Sequence, residues 1–235
     1  MAKLFFKQLL AGRDIGADDP VATSMQNFVY LIGDRDTGEC LVVDPAWAVD
    51  EIIDRVEAED MKLTGVLATH YHPDHVGGSM YGFTVEGLPK LMTRSPVKVH
   101  CHTLEADGIR QVTGLSKNDL VAHNSGDIVK VGDIEITLLH TPGHTPGSLC
   151  FRLKNSLVAG DTLFLQGCGR VDLPGGDPEE MIQTLTKRLA SLPGDMMLWP
   201  GHAYGGESAD LETVRKINPY LRVREEQLRQ QMLNR

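Results

Sequence analysis

Cysteine is scarce: four are spread over 235 residues, and no two form a CxxC pair. That is too few for a disulfide scaffold, so free thiols are expected. Aromatic residues make up only 6% of the chain, and no run approaches the roughly 20 apolar residues that a membrane-spanning helix needs. Positive charge is also short, with 23 Lys and Arg against 32 Asp and Glu and a net charge of −9. A surface of that sign disfavours nucleic acid and anionic membranes as partners. The opening stretch MAKLFFKQLLAGRD carries a lysine within its brief apolar run and no small-residue cleavage pattern. No signal peptide is therefore expected, and the location expected is cytoplasmic. Low-complexity segments, short tandem repeats and a linker able to split the chain are missing as well.

What is present is a 41% apolar content, enough for a well-buried core, in short runs that alternate with amphipathic stretches. MQNFVYLIGD and GECLVVDP read as strands joined by the turn DRDTG. In WAVDEIIDRVEAED the residues Val49, Ile52, Ile53 and Val56 fall on one helical face, and MKLTGVLATH follows as a buried strand. That order implies two parallel strands with a helical crossover. Residues 79–96 show no clear period and read as a loop-rich insertion. VKVHCHT then reads as a strand and LEADGIRQVTGL as a helix. From Asp127 an antiparallel series restarts: DIVKVG, IEITLLHTPG, SLCFRL and SLVAGD. A later helix is signalled by Asp177 as N-cap and Pro178 at its first position, and DMMLWPGH is a last strand. The charged tail reads as an outer helix over 207–235. The whole predicts one α/β (α+β) domain spanning 1–235: a layered sandwich of two sheets, helices on both outer faces, built from halves at about 1–125 and 126–206.

The chemistry concentrates in THYHPDHVGG, residues 69–78. His70 and His72, two apart after an apolar strand, can turn to one ion. Pro73 breaks the strand so that Asp74 and His75 address a neighbouring position. Imidazole and carboxylate are the donors suited to zinc, iron or manganese. Placing three histidines and an aspartate within six residues is costly without a partner for them. Other strand ends supply His144, between two Pro-Gly turns, Asp161 and His202. Five histidines and two aspartates suit two metals that share a carboxylate. The remaining histidines read differently, His140, His100 and His102 as structural and His123 as solvated in a polar loop. Asp44 reads as a support for the ligand loop.

These motifs resemble the metallo-β-lactamase fold superfamily, whose HxHxDH signature stands here as His70, His72, Asp74 and His75. The resemblance runs from about Asn27 to Tyr204 and implies a four-layer αββα sandwich with the site at one edge of the sheets. It puts His70, His72 and His144 on a first metal and Asp74, His75 and His202 on a second, with Asp161 bridging. Zinc is the ion first expected, with iron or manganese as alternatives. Within the superfamily, GDTLFLQGCGR is similar to the stretch around the bridging aspartate in glyoxalase II thioester hydrolases and in persulfide dioxygenases. The resemblance thus implies hydrolysis of a small-molecule thioester by a metal-bridging hydroxide, with catalytic roles for Asp74 and Asp161. The alternative it implies is oxidation of glutathione persulfide at one iron, held by His70 or His72 with His144 and Asp161. Tyr204 echoes a tyrosine near the glutathione moiety, and Cys168 and Arg170 lie close enough to Asp161 to be expected at the substrate. Glyoxalase II enzymes have a longer C-terminal helical region that supplies basic residues to glutathione, so a glutathione linkage stays open. The sequence is compatible with an oligomer.

Overall fold

The structure, a computed structural model, describes residues 3–233. Its strands are β1 (Leu4–Leu10), β2 (Phe28–Asp34), β3 (Glu39–Val43), β4 (Lys62–Leu67), β5 (Gly78–Met80), β6 (Phe83–Val85), β7 (Lys98–His102) and β8 (Leu120–His123) in the first half. The second half adds β9 (Ile128–Val131), β10 (Ile134–His140), β11 (Leu149–Leu153), β12 (Ser156–Gly160), β13 (Met197–Pro200) and β14 (Ala209–Asp210). The helices are α1 (Pro20–Met25), α2 (Val49–Glu57), α3 (Pro73–Val76), α4 (Leu88–Arg94), α5 (Ala106–Thr113), α6 (Pro178–Gln183), α7 (Leu211–Ile217) and α8 (Glu225–Leu233).

Alternation along the strands dictates the layering. In β2, Phe28, Tyr30 and Ile32 face inward while Val29 and Leu31 face outward, so both faces are buried. The inward set meets Ile136, Leu138, Leu149 and Phe151 of the second half, forming a core between the sheets. The outward set is covered by Ile52 and Val56 of α2, Leu91 of α4 and Ile109 of α5. On the far side, Leu157 and Ala159 of β12 pack under Met181 of α6, Val214 of α7 and Leu228 of α8. Each such side chain contributes about 1.5–3 kcal/mol when fully buried. Three apolar layers between four structural ones make the αββα sandwich. One sheet runs β1-β2-β3-β4-β7-β8 and the other β14-β13-β12-β11-β10-β9. The expected crossover is there, since β3 and β4 pair in parallel across α2, whose four apolar positions are all buried.

Three local readings change. The 79–96 stretch is ordered as the hairpin β5-β6 followed by α4; three-residue strands are too short to show a period. The tail holds two helices, α7 and α8, not one over 207–235, because Asn218 caps α7 and its amide turns away to donate to the Phe164 and Gly167 carbonyls. The last two residues of that expected helix, 234 and 235, lie outside the described residues. His123 is half-buried at the end of β8 rather than solvated in a loop, stacked on His100 with ring centroids 5.1 Å apart. Among the described residues no helix is long and apolar enough to cross a membrane.

The chain segments that follow β3, β4, β12 and β13 reach the same edge of the sandwich. They are stitched across the two halves by Leu149 N–H to the Thr69 carbonyl (2.9 Å) and Phe28 N–H to Gly201 (2.8 Å), and within the second half by Gly201 N–H to Gly160 (2.7 Å).

Candidate metal centre

The backbone places the predicted ligands at this edge through turns more than through strands. β4 ends at Leu67, so His70 and His72 lie in the loop beyond it, and His72 is the N-cap of the one-turn helix α3. Pro73 occupies its first position, where a missing N–H costs nothing. Asp74 and His75 follow on that turn, both buried. His144 comes from the loop after β10, Asp161 directly follows β12, and His202 lies two residues beyond β13. All seven come together.

They form two sets. His70, His72 and His144 each offer one nitrogen, with the three atoms within 4.8 Å of one another, and Asp74, His75 and His202 do the same with two nitrogens and a carboxylate oxygen. Asp161 joins the sets, its Oδ2 lying 3.6 Å from His144 Nε2 and 3.4 Å from His202 Nε2. Its Oδ1 is 3.3 Å from His75 Nε2.

Outer partners settle which ring nitrogen faces in. His75 Nδ1–H donates to Asp44 (2.9 Å), His202 Nδ1–H to the Met25 carbonyl (2.7 Å) and His144 Nδ1–H to the Arg170 carbonyl (2.7 Å). Thr69 Oγ1–H donates to Asp44 at 2.6 Å, so it accepts from His70 Nδ1–H at 2.9 Å. Four rings therefore turn Nε2 inward, the atom that can bind a metal once it carries no proton. His72 is the exception, with Nδ1 facing His144 Nε2 at 2.9 Å. Asp44 also accepts Thr69 N–H at 2.8 Å, so it is the expected support of the ligand loop and its oxygens are engaged.

Two observations fit a metal here. His70 Nε2 and Asp161 Oδ1 are buried with no hydrogen-bond partner, a costly state that a cation would relieve. In the second set the donor atoms stand 3.3, 3.4 and 3.4 Å apart. Donors on a four-coordinate zinc, at about 2.0–2.1 Å from the ion, stand about 3.3–3.4 Å from one another.

The sets differ in charge. Burial, then the neighbouring imidazoles, pushes His70 well below its ordinary range, and burial and His144 bring His72 down to about 4. Those rings are neutral at pH 7. Burial opposes charge on His75 and His202 too, but Asp74 and Asp161 outweigh it, holding His75 well above its ordinary value and His202 up at about 10. An ion entering the second set has to displace protons and one entering the first does not, so affinity of the second set climbs with pH. Zinc titration of metal-free protein at pH 7 is expected to release about two protons as the second set fills and none as the first fills. Calorimetry in buffers of different ionisation enthalpy reads this; filling both sets with no proton release would refute the charge assignment.

A cavity of about 800 Å³ opens on the site, lined by His72, Asp74, His144, Asp161 and His202 and by the apolar faces of Tyr71, Phe164 and Leu173. Cys168, Arg170 and Tyr204 line it too. Arg170 forms an ion pair with Asp172 at 2.8 Å, and Tyr204 stacks on His202 with centroids 4.7 Å apart. His140 and His102 stack on each other at 4.1 Å away from the ligands, and His100 pairs with His123.

Sequence reasoning missed Glu105. It is fully buried and accepts Tyr71 N–H (2.8 Å) from one ligand loop and Gly147 N–H (2.6 Å) from the other, so it ties the two halves behind the site. Burial pushes its carboxyl up to about 7. No local motif announces it.

The family model described as the Metallo-beta-lactamase superfamily matches residues 22–202. The chain is 30% identical over 198 residues to a probable polyketide biosynthesis zinc-dependent hydrolase, BaeB, of Bacillus velezensis, covering 84% of this chain and 82% of that protein. It is 36% identical over 208 residues to a hydroxyacylglutathione hydrolase of Rhodopseudomonas palustris, covering 87% and 74%. Among solved structures, ETHE1 from Myxococcus xanthus superposes with a TM-score of 0.78 at 28% identity, covering 98% of this chain and 90% of that one.

Proposed function

Because the chain belongs to the metallo-beta-lactamase superfamily, we propose that it is a metal-dependent hydrolase of a small-molecule thioester, like the hydroxyacylglutathione hydrolases it is similar to. The observation that carries this reading is the joining of two ligand sets by Asp161 in the wall of a cavity. On this reading His70, His72 and His144 hold a first divalent ion, Asp74, His75 and His202 a second, and Asp161 bridges them, with zinc the first candidate. Two such ions would bring the pKa of a shared water from about 15.7 towards 7 and polarise the thioester carbonyl.

The chain's own groups do the rest. Asp74, besides serving as a ligand, would accept a hydrogen bond from the attacking water and so orient it. Asp44, through Thr69 and His75, holds the loop that carries three of the histidines. Tyr71, Phe164 and Leu173 shelter the acyl arm from bulk water. Cys168, Arg170 and Tyr204, which line the cavity, are on this reading the contacts of the thiol arm, whether or not that arm is glutathione. A departing thiolate needs little protonation, so no separate general acid is required.

A second reading, a one-iron persulfide dioxygenase, is favoured by one observation. The first set is neutral and carries the unpartnered His70 nitrogen, while the second holds protons. Metal analysis of protein purified without added metal, paired with lactoylglutathione hydrolysis and oxygen uptake on glutathione persulfide, separates the two. Two metal equivalents with hydrolysis is the expected result; one iron with oxygen uptake overturns it.

A further inference from the structure

Five non-glycine residues among those described have positive φ, and two of them, Asp44 (φ 51°) and Trp47 (φ 79°), lie in the same short loop after β3. A left-handed conformation is strained for a bulky residue, and such strain persists where surrounding structure requires it. Asp44 spends its strain on His75 and Thr69, as described above. Trp47 has a counterpart role that the proposed mechanism does not use.

The Trp47 indole is buried, and its Nε1–H donates to Asn27 Oδ1 at 3.0 Å. An indole nitrogen can only donate, so the atom of the Asn27 amide that faces it must be the oxygen. The amide therefore cannot flip, and its NH2 is turned to the other side. There Nδ2 donates to Asp74 Oδ2 at 3.0 Å and stands 3.3 Å from both His75 Nε2 and His202 Nε2. One amide nitrogen touches all three donor atoms of the second ligand set at once. Asn27 is 1% exposed and, unlike Asp74 and His202, does not line the cavity. It backs the set from inside the protein, where its backbone is bridged to His202.

We infer that Trp47 and Asn27 are positioning residues for the second ligand set: the indole locks the amide, and the amide holds the Asp74 carboxylate in register with His75 and His202. The inference rests on the reading of that set as a metal site. Carboxylate ligands rotate easily, and a fixed donor on the ligating oxygen removes that freedom before the ion arrives. The hydrogen bonds of this pair go to the second set and none of them to the first.

Two variants test this, with zinc affinities measured for both ions by competition with a chromophoric chelator and the metal-free melting temperature recorded alongside. Asn27→Ala is expected to weaken the second zinc by about 10–100-fold and leave the first unchanged. Trp47→Phe keeps the ring and Asn27 but frees the amide to flip, and is expected to weaken the second zinc selectively as well, by a smaller factor. Equal losses at both ions that track a lowered melting temperature would mean a merely structural role and overturn the inference, as would wild-type affinity in both variants. A wild type that takes up no second zinc would remove the reading of the set and the inference with it, an outcome distinct from either.

Discussion

Asp161→Ala is expected to lose metal and turnover together. The carboxylate is the proposed bridge between the two sets, with oxygens 3.3–3.6 Å from His75, His144 and His202. With Asp74, the larger influence on His75, it also supplies the counter-charge that holds His75 and His202 protonated in a buried place. Without it the second set keeps a single carboxylate for any cation, and the first loses its link to the second. Metal catalysis is worth several kcal/mol of transition-state stabilisation, so activity should fall by about 10³-fold or more. Metal content by atomic emission should fall below one equivalent. Retained activity with a full metal complement would refute the bridging role of Asp161.

Gly201→Ala should come close to this effect with no ligand removed. A Cβ at position 201 would overlap the Asp161 Oδ1 atom and lie 2.8 Å from the Gly160 backbone carbon. The collision is with a carboxylate and a strand end held by the Gly201 to Gly160 hydrogen bond, so nothing flexible can give way. Overpacking of this kind costs about 1–3 kcal/mol of stability, and an error of about 1 Å in a reacting group can cost about 10²-fold in rate. The expected result is a folded protein with a lower melting temperature, weakened metal retention and at least that loss of turnover. Wild-type zinc affinity in Gly201→Ala would show that the carboxylate has room to move.

The clustering of the seven candidate ligands was legible because each ends or follows an apolar run; one such residue alone reads as a turn or a cap, and it is the seven together that point to a shared site. The layering was legible for the same reason: the period of β2 and the spacing in α2 are set by burial. Asn27, Trp47 and Glu105 were not legible. Each acts through a partner 20 to 47 residues away, so no local spacing encodes them. Trp47 in DPAWAVD reads as the entrance to a helix, and only its positive φ sets it apart. The histidines away from the site were half legible. His140 is structural as expected, donating to the Pro146 carbonyl, but the stacking of His123 on His100 depends on the β7-β8 register.

The two ligand sets are shared between halves of the chain, and His75 and His202 are 127 residues apart. A ribosome adding about 5–20 residues per second needs on the order of 10 s to cover that distance. For that interval the loop with His70, His72, Asp74 and His75 is outside the ribosome without His144, Asp161 or His202. The first candidate set can therefore be complete only once residue 144 has been made and the second only once residue 202 has, so the second is the later of the two to close.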